Sequence, residues 1–156
     1  MMATRDKFLI QVVDDQTTVV RILANMLQPE YSVCVATNGK MALMVANEQR
    51  PDLILLDMMM PDMTGIEVCE ALKKDPVTHK IPVIFVTSMD DKHNEEAGLR
   101  AGAVDYINKP PSPTIVRSRV KIHLTYSRQT HFLEDLADGR IEDLAEIRKQ
   151  AKFLID

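Results

Sequence analysis

Leu53-Ile54-Leu55-Leu56-Asp57-Met58-Met59-Met60-Pro61-Asp62-Met63-Thr64-Gly65 is the stretch on which the fold turns. It opens with four apolar residues and then presents one carboxylate. A short all-apolar run reads as a strand buried on both faces, as in a parallel sheet. Asp57 falls where that strand should end. Met60-Pro61 stops the extended run, and Gly65 suits a close approach at the start of a helix. Open α/β sheets place their ligand chemistry at the carboxyl ends of central strands. Taken alone, Asp57 reads as a cap on the following helix, and the rest of the chain overrides that reading.

Outward from this stretch, strand and helix patterns alternate. Toward the amino end, Phe8-Leu9-Ile10-Gln11-Val12-Val13 is a first strand ending at Asp14-Asp15, and Asp15 is placed to cap the next helix. Val19, Val20, Leu23, Met26 and Leu27 recur at helical spacing. Tyr31-Ser32-Val33-Cys34-Val35-Ala36 reads as a second strand, and Asn38-Gly39 opens a helix with the stripe Met41, Ala42, Val45 and Ala46. Toward the carboxyl end, a helix from about Gly65 to Lys74 buries Ile66, Val68, Cys69 and Leu72. Ile81 to Val86 is a fourth strand closing at Thr87-Ser88, and Asp90-Asp91 opens a helix ending near Ala101-Gly102. Val104 to Ile107 is a short fifth strand closing at Asn108-Lys109-Pro110. A fifth helix after Pro113 turns Ile115, Val116, Val120 and Leu124 inward. Five alternations predict a parallel sheet with helices on both faces. Its carboxyl edge gathers Asp14, Asp15, Asp57, Thr87 and Lys109.

Several strand ends bearing residues suited to one chemistry are harder to explain as separate caps than as one site. Clustered carboxylates repel unless a cation joins them, and hard oxygen donors with room for water suit Mg²⁺. A metal there would draw in a phosphoryl group. Asp57 is then a carboxylate nucleophile able to form an aspartyl phosphate, with Lys109 and Thr87 placed to hold phosphoryl oxygens. No His or Cys stands at these strand ends, so acyl-transfer triads and soft-metal sites find no support.

The chain of 156 residues is one domain of ordinary size with room for an appendage. Its net charge of −4 argues against a nucleic-acid-binding module. Cys34 and Cys69, in apolar settings without metal-ligand spacing, read as buried free thiols in a reducing cytosol. No signal peptide or membrane-length apolar run is present, so a cytoplasmic protein with no membrane partner is expected.

From about Phe8 to Arg128 the chain resembles the receiver domain of two-component response regulators. The residues that carry the resemblance are Asp14-Asp15, the segment from Asp57 to Gly65, Thr87-Ser88 and Lys109-Pro110. The resemblance implies a flavodoxin-like (βα)5 fold with strand order 2-1-3-4-5. It implies that Asp57 takes a phosphoryl group from a sensor histidine kinase or a histidine phosphotransfer protein. Asp14, Asp15, Asp57 and the Met59 backbone carbonyl are then the Mg²⁺ ligands. Thr87 and Lys109 hold the phosphoryl group, and the Lys109-Pro110 bond is cis. Thr87 would move toward the phosphoryl group, letting Tyr106 turn inward and changing the face formed by the fourth helix, fifth strand and fifth helix. The resemblance implies no enzyme beyond the domain's own phosphorylation and dephosphorylation. Met59 and Met89 flank the expected approach of water, and neither can orient it well, which predicts a long-lived phosphoryl state. Met58 and Met60 read as packing.

The run from Pro111 to Leu124 also resembles receivers that precede cyclic-di-GMP cyclases or phosphodiesterases. Residues 1–128 are thus expected to form the receiver and 129–156 a helical extension. Leu133, Ala137, Leu144, Ile147, Ala151 and Leu154 approximate a heptad, with Arg140 the misfit and Glu142, Asp143, Glu146, Arg148, Lys149 and Lys152 on the other faces. A coiled coil with a second chain and a helix folded back on its own domain are both open readings. Asp138-Gly139 is placed to interrupt the helix. His79, His93, His123 and His131 form no ligand-like cluster and read as surface or packing residues. No output-enzyme motif appears, so the chain reads as the amino-terminal piece of a larger regulator or a single-domain regulator acting through an effector. A homodimer through the fourth-helix to fifth-helix face or through the tail is expected. Two rival readings are an aspartyl-phosphate phosphatase or phosphotransferase and a scaffold that never takes phosphate. Phosphatases of the haloacid-dehalogenase type place an acid/base Asp two residues after the nucleophile, and Met59 stands there instead.

Overall fold

The computed structural model describes residues 7–88, 92–140 and 144–155. Asp90, Asp91, Met89, Glu142 and Asp143, which figured in the sequence reading, lie outside these residues. The elements run β1 (Leu9–Val13), α1 (Thr17–Leu27), β2 (Ser32–Ala36), α2 (Gly39–Gln49), β3 (Leu53–Asp57), α3 (Gly65–Lys74), β4 (Val83–Ser88), α4 (Lys92–Arg100), β5 (Asp105–Lys109), α5 (Pro113–Ala137) and α6 (Leu144–Ile155). All four strand pairings are parallel, in the order β2-β1-β3-β4-β5.

Strand periodicity sorts the core into two layers. Leu53 and Leu55 face one side with Ile10, Val12, Ile84, Val86 and Ile107, where α1 and α5 cover them through Leu23, Leu27, Val116, Val120 and Leu124. Ile54 and Leu56 face the other side with Val13 and Phe85, beneath α2 and α3, which supply Ala42, Ala46, Val68, Cys69 and Leu72. Every residue of β3 is buried, as a central strand covered on both faces requires. Gln11 is the misfit in β1. It is fully buried, its Nε2 donates to the Ala42 carbonyl at 3.0 Å, and its Oε1 has no partner.

Local sequence explains the helix starts. The Asn38 side chain accepts from the Met41 N–H at 2.8 Å, and the Thr64 hydroxyl accepts from the Glu67 N–H at 3.2 Å. The first helix departs from expectation. Asp15 does not cap it; instead Asp14 Oδ1 accepts from the Gln16 N–H at 2.9 Å. Ile115 is also corrected, because it is 44% exposed. The inward stripe of α5 is Val116, Val120 and Leu124, and Ile115 lies one position, about 100°, around the helix. Cys34 is only half-buried, whereas Cys69 is buried, and no disulfide joins them.

The fifth helix continues through position 128 to Ala137. Asp138 then ends it, and Gly139 adopts φ 71°, so the Asp-Gly pair does interrupt the tail. The sixth helix follows and touches α5. Among the described residues, no helix is long and apolar enough to cross a membrane.

Candidate functional site

The parallel sheet brings the ends of β1, β3 and β5 to one edge, and side chains from each meet there. Asp14, just past β1, is 1% exposed, and Asp57, the last residue of β3, is 6% exposed. Lys109, the last residue of β5, reaches across with its ammonium 2.9 Å from Asp14 Oδ2 and 3.1 Å from Asp57 Oδ1. Asp15 is exposed, and one carboxylate oxygen from each of Asp14, Asp15 and Asp57 lies within 4.8 Å of the others. Three hard oxygen donors so close together fit a hard divalent cation with room left for water.

Charge balance agrees with that fit. Burial pushes the Asp57 carboxyl up, the Asp14 charge pushes it further, and Lys109 and the Met59 N–H pull it back. The balance stands at about 6, raised from 3.8. Burial alone would lower Lys109, but hydrogen bonds and charge from Asp14 and Asp57 outweigh it and hold the ammonium above its ordinary value. One cation therefore does not offset the carboxylates gathered here, and the site favours further positive charge.

The backbone around Asp57 is fixed from two directions. A Cβ on Gly65 would fall 2.2 Å from the Asp57 carbonyl oxygen and 2.9 Å from Met58 Cα. Only glycine permits this approach, in which the Gly65 N–H donates to the Met58 carbonyl at 2.7 Å. Asp62 accepts from the Gly39 and Lys40 N–H groups at 2.9 and 3.1 Å, tying the loop after β3 to the start of α2. These bonds at a helix amino terminus hold the Asp62 carboxyl below its usual range. Sequence reasoning gave Asp62 no role, because its partners lie more than twenty residues away with no local signal.

The remaining candidates lie at or near the same edge but do not join the carboxylate cluster. Thr87 is buried opposite Asn108, and its hydroxyl donates to the neighbouring Ser88 carbonyl at 3.4 Å. Tyr106 pairs with Phe85 and packs, half-buried, against the layer under α2 and α3. The Met59 side chain is 66% exposed, while Met58 and Met60 are buried. The Lys109–Pro110 peptide bond is cis. A second cluster was missed entirely. Asp105 receives hydrogen bonds from Arg119 and His123, so His123 is more than a surface or packing residue. The available signal was the Arg119/His123 pair at i and i+4, which puts both on one helix face.

Comparison with known proteins gives a family match over residues 10–121, to the response regulator receiver domain. The chain is 39% identical over 124 residues to a protein of Vibrio cholerae named "Probable cyclic di-GMP phosphodiesterase", covering 80% of this chain and 28% of that protein. It is 43% identical over 113 residues to the response regulator PleD of Caulobacter vibrioides, covering 72% of this chain and 25% of PleD. The chain thus spans about a quarter of the length of either relative. The crystal structure of a putative response regulator from Chloroflexus aurantiacus superposes with a TM-score of 0.74 at 32% identity, over 76% of this chain and 98% of that one.

Proposed function

Because the chain belongs to the response regulator receiver domain family of two-component signal transduction, we propose that Asp57 is its phosphoacceptor. The observation that carries this reading is the Asp57 carboxylate at the end of the central buried strand, paired with Lys109 and clustered with Asp14 and Asp15. The donor is a phosphohistidine on a sensor kinase or a phosphotransfer protein. An Asp57 carboxylate oxygen attacks phosphorus, the P–N bond breaks, and its electron pair leaves with the imidazole. Lys109 pairs with one phosphoryl oxygen and Thr87 donates to another. Asp14, Asp15, Asp57 and the Met59 carbonyl would hold Mg²⁺, which would supply positive charge against the phosphoryl oxygens.

Output follows from the new charge. Thr87 is drawn toward the phosphoryl group, Tyr106 turns inward, and the surface of α4, β5 and α5 changes its packing preference. Residues 1–128 act as the receiver and 129–156 as the extension that carries the change outward. The effector is a cyclic-di-GMP cyclase or phosphodiesterase domain outside this chain, a reading supported by the name of the Vibrio cholerae relative and by the run after Pro110. A homodimer through α4, β5 and α5, or through the tail, fits this role, as does a cytoplasmic location without nucleic acid or membrane. The phosphatase reading fares worse, since Met59 offers no acid/base group two residues after Asp57.

Intact mass after incubation with acetyl phosphate and Mg²⁺ tests the reading, beside an Asp57→Asn control. A single phosphoryl adduct on the wild-type chain alone is expected, and a sizing column with light scattering then reads dimerisation. Absence of an adduct, with no response to beryllofluoride, overturns the phosphoacceptor reading and leaves a scaffold. Sustained hydrolysis of a chromogenic phosphate ester would favour the phosphatase.

A further inference from the structure

At the start of β5, one carboxylate is shared among three residues. Asp105 Oδ1 accepts from the Tyr106 N–H at 2.8 Å and from Arg119 at 2.9 Å. Its Oδ2 accepts from the same Arg119 nitrogen at 2.8 Å and faces His123 Nε2 at 2.9 Å. The Asp105 side chain is only 16% exposed, unlike an ordinary surface ion pair. Burial pushes its carboxyl up, but the hydrogen bonds from Arg119, His123 and the Tyr106 N–H outweigh this and hold it below the usual range.

The placement of these groups gives the cluster its meaning. Successive strand residues point to opposite faces. Tyr106 packs into the layer under α2 and α3, whereas Ile107 packs with Val116 and Val120 of α5. Asp105 shares the α5 face with Ile107. The bond from the Tyr106 N–H to Asp105 Oδ1 ties this carboxylate to the Tyr106 backbone, so a rotation of the peptide between residues 105 and 106 is felt on both faces of the strand. That rotation turns the Asp105 carboxylate on the opposite face, where it grips two successive turns of α5.

We propose that Asp105 is a positioning residue that couples the backbone of Tyr106 to α5, so that a change at the strand is passed through the sheet to the helix and its tail. The proposal rests on the reading of Asp57 as phosphoacceptor for the signal it carries. The contact itself is independent of phosphate. Asp105→Asn keeps an oxygen for the Tyr106 N–H but removes the charge that Arg119 and His123 recognise. Arg119→Gln with His123→Gln removes the same grip from the helix side.

Hydrogen exchange on the full chain, with and without beryllofluoride and Mg²⁺, separates transmission from folding. In the wild type, protection is expected to change together over β5 and over residues 113–137. In both variants the β5 change should persist and the α5 change should shrink at least five-fold, with thermal melting confirming that each variant is folded. An α5 response of wild-type size in both variants overturns the proposal. A wild-type chain that shows neither adduct nor response counts against the phosphoacceptor reading instead. In that event a phosphate-free double-mutant cycle decides the coupling. Urea midpoint shifts of Tyr106→Ala and Arg119→Gln should fail to add in the wild-type background and should add once Asp105→Asn is present. Additive shifts in both backgrounds overturn the proposal.

Discussion

Replacing Asp57 with Asn should stabilise the metal-free protein, and the gain should depend on pH in a defined direction. Holding a carboxyl at about 6 instead of 3.8 corresponds to roughly 3 kcal/mol. The native state keeps a proton that the unfolded chain has already released. The associated stability is therefore fully present below the unfolded value near 3.8 and is lost as pH rises through the folded value near 6. Asn cannot ionise, so it escapes this loss, though it forfeits part of the charge-assisted bond to Lys109. The expected advantage of Asp57→Asn is small at pH 4, grows through pH 6, and levels off at about 1–3 kcal/mol above pH 7. Urea unfolding in EDTA across this range measures it. At a slope of about 2 kcal/mol per molar urea, the midpoints should separate by roughly 0.5–1.5 M at pH 7.5. Taking the difference between the two proteins cancels the titration of carboxyls that do not interact with Asp57. A difference that does not vary with pH, or that grows as pH falls, would refute the electrostatic account of the site.

Three further expectations follow from the same structure. Mg²⁺ must displace the Asp57 proton, so its affinity measured by calorimetry should fall by about tenfold per pH unit below 6, and a flat profile would exclude Asp57 as a ligand. Gly65→Ala places a methyl group against the Asp57 carbonyl, so Mg²⁺ affinity should drop at least roughly tenfold along with the melting temperature, and unchanged binding would show that the strand end is not fixed by this contact. Gln11→Leu removes a buried unpaired oxygen beneath α2 and should raise unfolding stability by about 1 kcal/mol in urea titration; a loss would mean that the bond to Ala42 outweighs the orphaned atom.

The sheet was readable because each strand carries its own signal. The buried run in β3 and the helical stripe of α3 were legible residue by residue, and α3 ends at Asp75-Pro76 as the sequence indicates. Strand limits were less so. The fourth strand begins at Val83 rather than Ile81, because Ile81 closes a turn through its N–H to the Thr78 carbonyl and Pro82 has no N–H to give the ladder. The fifth runs on to Lys109, paired with Ser88, although Asn108 and Lys109 look like loop residues. Residues of the carboxylate cluster could be named because strand ends converge by topology. Their division of labour could not. Asp14 and Asp15 are identical in type and adjacent, yet one is buried against Lys109 and the other faces solvent. Asp62 and Gln11 act through partners distant in sequence, and no local pattern announces them, whereas the cluster at Asp105 left only the i, i+4 spacing of Arg119 and His123 as its signal.

The length of α5 has a mechanical consequence. Beyond Arg119 the helix continues to Ala137, about 27 Å at 1.5 Å per residue. A tilt of about 5° at that root displaces the far end by about 2.4 Å, comparable with the helix shifts of 1–2 Å at which packed interfaces change state. The strand needs to supply only a fraction of an ångström near the pivot. On the proposed switch the long helix would serve as a lever arm, turning a small tilt at its Asp105 contact into a larger displacement where α6 begins.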